Sequence, residues 1–247
     1  MSGHSHYATI KRQKETKDAQ KGKAFSKLGM SISLAVKAGG GPDPAANSKL
    51  RFAIEQARAF NMPKDNIERA ISKASAGQEN LEEVTYEGFG PNGIAVVVEA
   101  ATDNRNRTGQ EIKNLFERGG GSLSGPGSVS FNFERKGMVV VEKQGDFESQ
   151  FLKLIDLGVE DVEDTDSGIE VYVLPDKLSE TTDLLTKSGF KVLSFELVRK
   201  PKNYTTISEP EKASKALSFL DNLEEHDDVQ KVFANLNIPQ ETVAKLD

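Results

Sequence analysis

Apolar residues recur every three or four positions through the first eighty residues, and in many later stretches every second position. From Asp18 to Val36, Phe25, Leu28, Ile32 and Ala35 share one stripe, which predicts an amphipathic helix. Lys14, Lys17 and Lys21 align on another face. Gly22 interrupts the pattern, and glycine costs about 1 kcal/mol relative to alanine inside a helix, so the helix is expected to begin after it and leave a basic arm in front. The run from Lys37 to Pro44, with three glycines and two prolines, is a loop, and Asp43 is suited to cap the next helix with Pro44 at its first position. That helix turns Leu50, Ala53, Ile54 and Ala57 inward and Lys49, Arg51 and Arg58 outward. Pro63 opens a third helix with Ile67, Ala70, Ile71 and Ala74 on its inner face, closed by Gly77. Three short helices form a marginal bundle that is expected to lean on a neighbour.

After residue 80 the period changes. Ile94–Glu99 reads as a strand, and Thr108 to Glu111 spells a capping box ahead of a helix carrying Ile112, Leu115 and Phe116. A glycine-rich loop, Gly119 to Gly127, leads to Val129, Phe131 and Phe133, which alternate as a strand. Residues 136–200 make a complete unit: strand Met138–Val141, a helix on Phe147, Phe151, Leu154 and Ile155, two strands around Asp164 to Gly168, a helix ending at Gly189, and a strand on Leu193, Phe195 and Leu197. That β-α-β-β-α-β order is ferredoxin-like. Tyr204–Ile207, a helix on Ala213, Leu217 and Leu220, and a strand on Val232, Ala234 and Leu236 form a second β-α-β half. The fold class expected is α+β in three domains: a helical basic domain over 1–80, a split α/β domain over 81–135 plus 201–238, and a ferredoxin-like domain over 136–200 inserted into it.

Charge sharpens this division. The chain of 247 residues is formally −6, yet residues 1–80 hold 14 Lys and Arg against 7 Asp and Glu, and the remainder holds 18 against 31. Such asymmetry suggests that the basic end meets a polyanion while the acidic bulk maintains solubility; the alternative is a solvated lysine-rich face. Cysteine is absent, which excludes disulfides, thiolate nucleophiles and cysteine-based zinc sites and fits a reducing cytoplasm. No targeting segment is visible, and the most apolar run, Ile94–Val98, is far too short to span a bilayer, so a soluble protein without membrane partners is expected.

Several motifs bear on chemistry. Gly88 to Gly93 satisfies G-x-G-x-x-G, but Pro91-Asn92-Gly93 is turn chemistry leading into a strand, whereas a dinucleotide fingerprint follows a strand and opens a helix. Arg105 and Arg107 are expected just before a helix N-terminus, where both could hold phosphate with paired donors; they could equally brace an acidic neighbour. Histidine occurs only as His4, His6 and His226, which makes a Ser/His/Asp site improbable. Asp161, Glu163, Asp164, Asp166 and Glu170 miss the calcium-loop spacing because Gly168 falls where a ligand is needed. Neither catalysis nor a cofactor, metal or small-molecule substrate has residues to support it.

Longer blocks carry a resemblance. Gly3-His4-Ser5, Ala8 to Lys11, Gly39 to Gly41, Asn61 to Ala70, Tyr86 to Pro91, Thr102 to Thr108 and Asp228 to Gln230 are similar in kind and order to the YebC family. His6 and Tyr7 stand where that family often has Lys and Trp, which keeps an aromatic and loses a fixed charge. The resemblance implies a three-domain, non-enzymatic cytoplasmic protein of gene expression. Bacterial members are described as DNA-binding transcriptional regulators; others, including a mitochondrial translational activator, associate with ribosomes and relieve stalling at proline runs. The expected partner is therefore nucleic acid: DNA, or ribosomal RNA in the alternative. An acidic protein-binding adaptor is a further alternative. The candidate phosphate contacts are Lys11, Arg12, Lys14, Lys17, Lys21, Lys23, Lys27, Arg51, Arg58, Lys64, Arg69, Arg105 and Arg107.

Overall fold

The computed structural model describes residues 18–77, 80–159, 161–165 and 168–246, without the side chains of 18–21. Three helices come first: α1 (Asp18–Ala38), α2 (Ser48–Ala59) and α3 (Lys64–Ser75). They bury Ile32, Ala35 and Val36 against Leu50, Ala53, Ile54, Ala57, Met62, Ile67 and Ala74, with Phe25, Leu28, Ala70 and Ile71 at the margin. Contrary to the expected start after Gly22, α1 runs through that glycine. Burial of its apolar stripe outweighs the propensity cost of about 1 kcal/mol.

The α1–α2 connection is organised by Asn47, which is 2% exposed. Its side-chain oxygen accepts from the Leu50 N–H at 3.0 Å, and its amide donates to the carbonyls of Ala35 at 2.9 Å and Gly41 at 2.8 Å. One side chain thus caps the start of α2 and satisfies two carbonyls at the end of α1 and in the loop. Asp43, expected as the cap, instead accepts from the Ala45 N–H at 2.9 Å and stabilises the turn before it. Asn47 sits so close to Gly39 that a β-carbon there would lie 1.9 Å from its oxygen, and Gly40 and Gly41 have φ of +90° and +130°. The glycine triplet is therefore needed for clearance at its first position and for backbone conformation at the other two.

Strands β1 (Glu82–Phe89) and β2 (Ala95–Thr102) form a hairpin, with Asn92 and Gly93 at positive φ in the turn. Helix α4 (Arg105–Arg118) and the short strand β3 (Ser122–Ser124) follow. These join β9 (Val229–Ala234) in an antiparallel sheet ordered β3-β1-β2-β9. Two elements depart from the sequence reading. Glu82–Phe89 is a strand, and the strand expected on Val129, Phe131 and Phe133 is a 3-10 turn over Ser130–Asn132. The carboxylate of Glu87 explains that turn: it is 7% exposed and accepts from the N–H groups of Gly127, Val129 and Ser130 at 2.9, 3.0 and 2.8 Å. Burial would raise the pKa of Glu87, but these three donors outweigh it and hold the carboxyl below its ordinary range.

Helix α7 (Pro210–Glu224) inserts Phe219 beside Phe116 of α4, with ring centroids 5.2 Å apart at 77°. A β-carbon at Gly90 or Gly119 would lie 2.6 or 2.2 Å from the Phe219 ring. The glycines of the GxGxxG spelling therefore serve a turn and an aromatic seat.

The second four-stranded sheet comprises β4 (Phe133–Val141), β5 (Asp161–Thr165), β6 (Gly168–Val173) and β7 (Val192–Pro201), with helices α5 (Phe147–Asp156) and α6 (Leu178–Lys187) in the connections. Its antiparallel order, β5-β6-β4-β7, is that of a ferredoxin-like sheet. Leu193 and Leu197, expected on this strand, are 45% and 44% exposed, and β7 is the last strand in that order. A parallel pair, β8 (Thr205–Thr206) and β10 (Leu236–Asn237), and a short helix α8 (Gln240–Val243) complete the described fold. The expected final strand is thus broken at Asn235, and Leu236 pairs with Thr205.

By contacts the chain forms two compact units: one holds Phe131–Pro210 with the chain from Asn235, the other holds the described chain up to Ser130 with Glu211–Ala234. The helices α1–α3 and the first sheet belong to the same unit. No helix among the described residues is long and apolar enough to cross a membrane. Replacing Asn47 by Ala removes the side-chain donors to the Ala35 and Gly41 carbonyls, of which Ala35 keeps its bond from the Gly39 N–H, leaves one helix start uncapped, and should destabilise this unit by about 2 kcal/mol, read as a shift in its urea midpoint.

Candidate nucleic-acid interface

Four of the expected contacts, Lys11, Arg12, Lys14 and Lys17, lie outside the described residues, and Lys21 is described only as part of the α1 backbone. The remainder divide into engaged and outward-facing cations, all on the unit containing the first sheet.

Lys23 and Lys27 are engaged. Their amines donate to the carbonyls of Glu225 and Glu224, at the C-terminal end of α7, and Lys23 also lies 3.6 Å from Asp227. Cations there satisfy unpaired carbonyls and oppose the negative end of the helix dipole. Ser31 adds a hydrogen bond to Gln230 of β9 at 3.1 Å. The basic face of α1 is thus partly spent on joining the helices to the sheet.

Arg51, Arg58, Lys64 and Arg69 are exposed. Arg51 donates to the Pro44 carbonyl at 3.1 Å, Lys64 pairs with Glu68 at 3.4 Å, and Arg69 makes a long contact of 3.5 Å to Asn66. Lys49 and Lys73, not among the expected contacts, are exposed on the same helices. Among the described residues, Arg51, Arg58, Arg69 and Lys73 have no carboxylate partner.

The β2–α4 junction was expected to place Arg105 and Arg107 ahead of a helix capped by Thr108. Instead Asn104 is the cap, accepting from the Arg107 N–H at 3.1 Å, and both arginines stand in the first turn. Thr108 is buried and links two elements: its hydroxyl donates to Asp228 at 2.5 Å and lies 2.7 Å from Thr102, whose oxygen accepts from the Asn104 N–H at 2.9 Å. Arg107 donates to Asp103 at 3.0 Å and to Asp228 at 2.9 Å. Burial would raise the pKa of Asp228, but Thr108 and Arg107 together hold its carboxyl below the usual range. Arg107 is thereby a strut between α4 and the start of β9. Arg105 remains exposed, and only its backbone carbonyl is used, accepting from Tyr86 at 3.3 Å.

Glu111, His226 and Asp228 bring ligand-type atoms within 4.8 Å of one another. The imidazole tautomer argues against a metal. The Asp228 N–H donates to Nδ1 of His226 at 3.1 Å, so Nε2 carries the proton and donates to Glu111 at 3.0 Å. A metal on Nε2 would require a proton on Nδ1, where the backbone N–H already points. The acidic hairpin is likewise internally paired: Lys143 reaches Asp164 at 2.5 Å, and Lys200 reaches Asp161 at 2.6 Å and Glu163 at 2.7 Å.

The roles of Asp228, Thr108 and Asn47 were not assigned from the sequence. A polar Thr one turn inside a helix and a lone Asn before one are the available signals, but they become specific only with the distant partner in place.

A helical segment ahead of two antiparallel sheets, with outward cations on its short helices, makes an α+β frame. The chain belongs to the TACO1/YebC family: the N-terminal domain of that family matches residues 5–77, and its second and third domains match residues 81–236. A "Probable transcriptional regulatory protein" of Methylacidiphilum infernorum is 47% identical over 98% of both chains, and one of Dictyoglomus turgidum is 44% identical over 100% of both. The crystal structure of a conserved hypothetical protein from Aquifex aeolicus is similar with a TM-score of 0.84 at 44% identity, covering 92% of this chain and 96% of that one.

Because the folded-state carboxyl of Asp228 is more acidic than the unfolded one, its stabilisation is full above the unfolded value near pH 4 and fades as pH falls through the folded value. Asp228→Asn should lower the pH 7 melting temperature by about 3–6 °C, and the gap to the wild type should close as the pH approaches 3.

Proposed function

We propose that this protein is a non-enzymatic nucleic-acid-binding regulator of gene expression, with DNA as the first candidate ligand, and that its basic helical segment grips the phosphate backbone. The observation that supports this most is the set of exposed guanidinium groups at Arg51, Arg58 and Arg69, which have no carboxylate partner among the described residues of an otherwise acidic chain. Guanidinium is well suited to paired donation to phosphate oxygens, and surplus cations on one region of an acidic protein orient it toward a polyanion. The names of relatives as probable transcriptional regulatory proteins agree with a regulatory role. Contacts of this kind position a protein on a backbone and carry little sequence information. They would serve a structured ribosomal RNA surface as well, so a ribosome-associated translation factor is the second reading.

The remaining candidates take graded roles. Arg105 is a second contact beside a helix N-terminus, Lys64 contributes after release from Glu68, and Lys11, Arg12, Lys14, Lys17 and Lys21 add a basic lead-in. Lys23, Lys27 and Arg107 act chiefly by holding the frame. The three-part division into 1–80, 81–135 plus 201–238, and 136–200 is part of the same proposal.

Six to eight phosphate contacts give a log–log salt slope of about −5 to −7 on duplex DNA. Charge reversal at Arg58 and Arg105 should weaken duplex binding at least tenfold, with melting temperature unchanged, whereas Arg107→Ala should lower the melting temperature as well. An acidic adaptor predicts no salt-dependent binding and no effect of Arg58→Glu on nucleic acid. Anisotropy titrations of labelled duplex DNA and of ribosomal RNA fragments at several salt concentrations separate these outcomes.

A further inference from the structure

A groove of about 360 Å³ runs between α1 and α3. Its α3 wall presents Asn66, Arg69 and Lys73, its α1 wall presents the hydroxyl of Ser26 with Ser33 buried at its floor, and no carboxylate of the described residues lines it. Every hydrogen-bonding side chain along it can donate, and two are cations.

The glycines of α1 add an independent reason to regard the groove as built for something outside the fold. Gly22 and Gly29 both line it, and a β-carbon added at either would meet no atom within 4 Å beyond the local helix backbone. Neither is at positive φ. Nothing internal requires glycine at these positions, yet each costs about 1 kcal/mol of helix propensity relative to alanine. Glycine in a regular element without an internal reason marks close approach by another backbone or a ligand.

We propose that this groove seats the sugar–phosphate backbone of a nucleic-acid strand, with the strand passing over Gly22 and Gly29 and its phosphates held by Arg69 and Lys73. This rests on the nucleic-acid reading above and gives it a location. Ser26 and the Asn66 amide complete the donor set around the phosphate and sugar oxygens, and Phe25 on the same wall offers a ring face to a base or sugar. An acidic helix from a protein partner is about 10 Å across and carries its carboxylates at the ends of side chains, away from its backbone. A strand backbone is narrower and brings its charge on the atoms nearest the cations.

The full-length chain is titrated with fluorescein-labelled 20-nucleotide single-stranded DNA, single-stranded RNA and duplex DNA at 50–300 mM salt. Gly29→Met should weaken the best-bound probe at least tenfold while the circular dichroism spectrum is kept. Gly29→Ala should melt at or above the wild-type temperature and bind more weakly. Arg69→Gln with Lys73→Gln should reduce the magnitude of the log–log slope by about 1.4 on a single strand, one contact each. Because the chain has no cysteine, Ser26→Cys supplies a unique thiol whose alkylation should be slowed by bound oligonucleotide. Wild-type affinity in folded Gly29→Ala and Gly29→Met, or an unprotected thiol under saturating oligonucleotide, overturns the groove. If Arg58→Glu still abolishes binding in that case, the nucleic-acid reading survives without it. Absence of salt-dependent binding by the wild type to any probe removes both.

Discussion

Helix α1 has more than one face to bury, and the unit that contains it depends on all of them being covered. One stripe, through Ile32, Ala35 and Val36, closes the small helical core. Another carries Lys23, Lys27 and Ser31 to the end of α7 and to β9. A three-helix core this small has little apolar surface to offset its conformational entropy, so docking onto a sheet is a physical requirement. Lysine amines make that junction, and they do so by completing the carbonyl end of a helix. Part of the positive charge that distinguishes the N-terminal region is therefore structural, and the part available to a polyanion is correspondingly narrower.

The same economy recurs at the sheet. Glu87 fills a nest of three backbone N–H groups, and Asp228 gathers Thr108 and Arg107. Each carboxylate is held ionised by donors that outweigh its desolvation. These acids order loops and junctions, which leaves the arginines of α2 and α3 exposed and without carboxylate partners among the described residues. The proposed function accordingly rests on a helical surface supported by polar locks.

Much of this was legible in the sequence. The 3.6-residue period located all three N-terminal helices, and the alternating period with its two intervening helices identified the ferredoxin-like sheet. What failed were features set by distant partners. Asp43 looked like a cap by composition, but Asn47 reaches three groups at once. Thr108 looked like a cap until Asn104 and Asp228, 120 residues further on, were brought beside it. Val129, Phe131 and Phe133 alternate as a strand would, yet Glu87 holds the N–H groups of Gly127, Val129 and Ser130 ahead of a turn, and the strand begins only at Phe133. For the candidate interface, charge in the sequence pointed to the N-terminal region but could not say which cations the fold consumes. Arg107 is tied to two carboxylates, whereas Arg58, spelled no differently, faces outward.

Ultraviolet crosslinking of the full-length protein to nucleic acid in cells, with sequencing of the bound fragments and mass spectrometry of the linked peptides, tests the central claim most directly. Adducts on peptides of α1–α3 and around Arg105, joined to promoter DNA or to ribosomal RNA, are the expected result and identify the nucleic acid at the same time. Recovery of no nucleic acid, or adducts confined to residues 131–210, would contradict it.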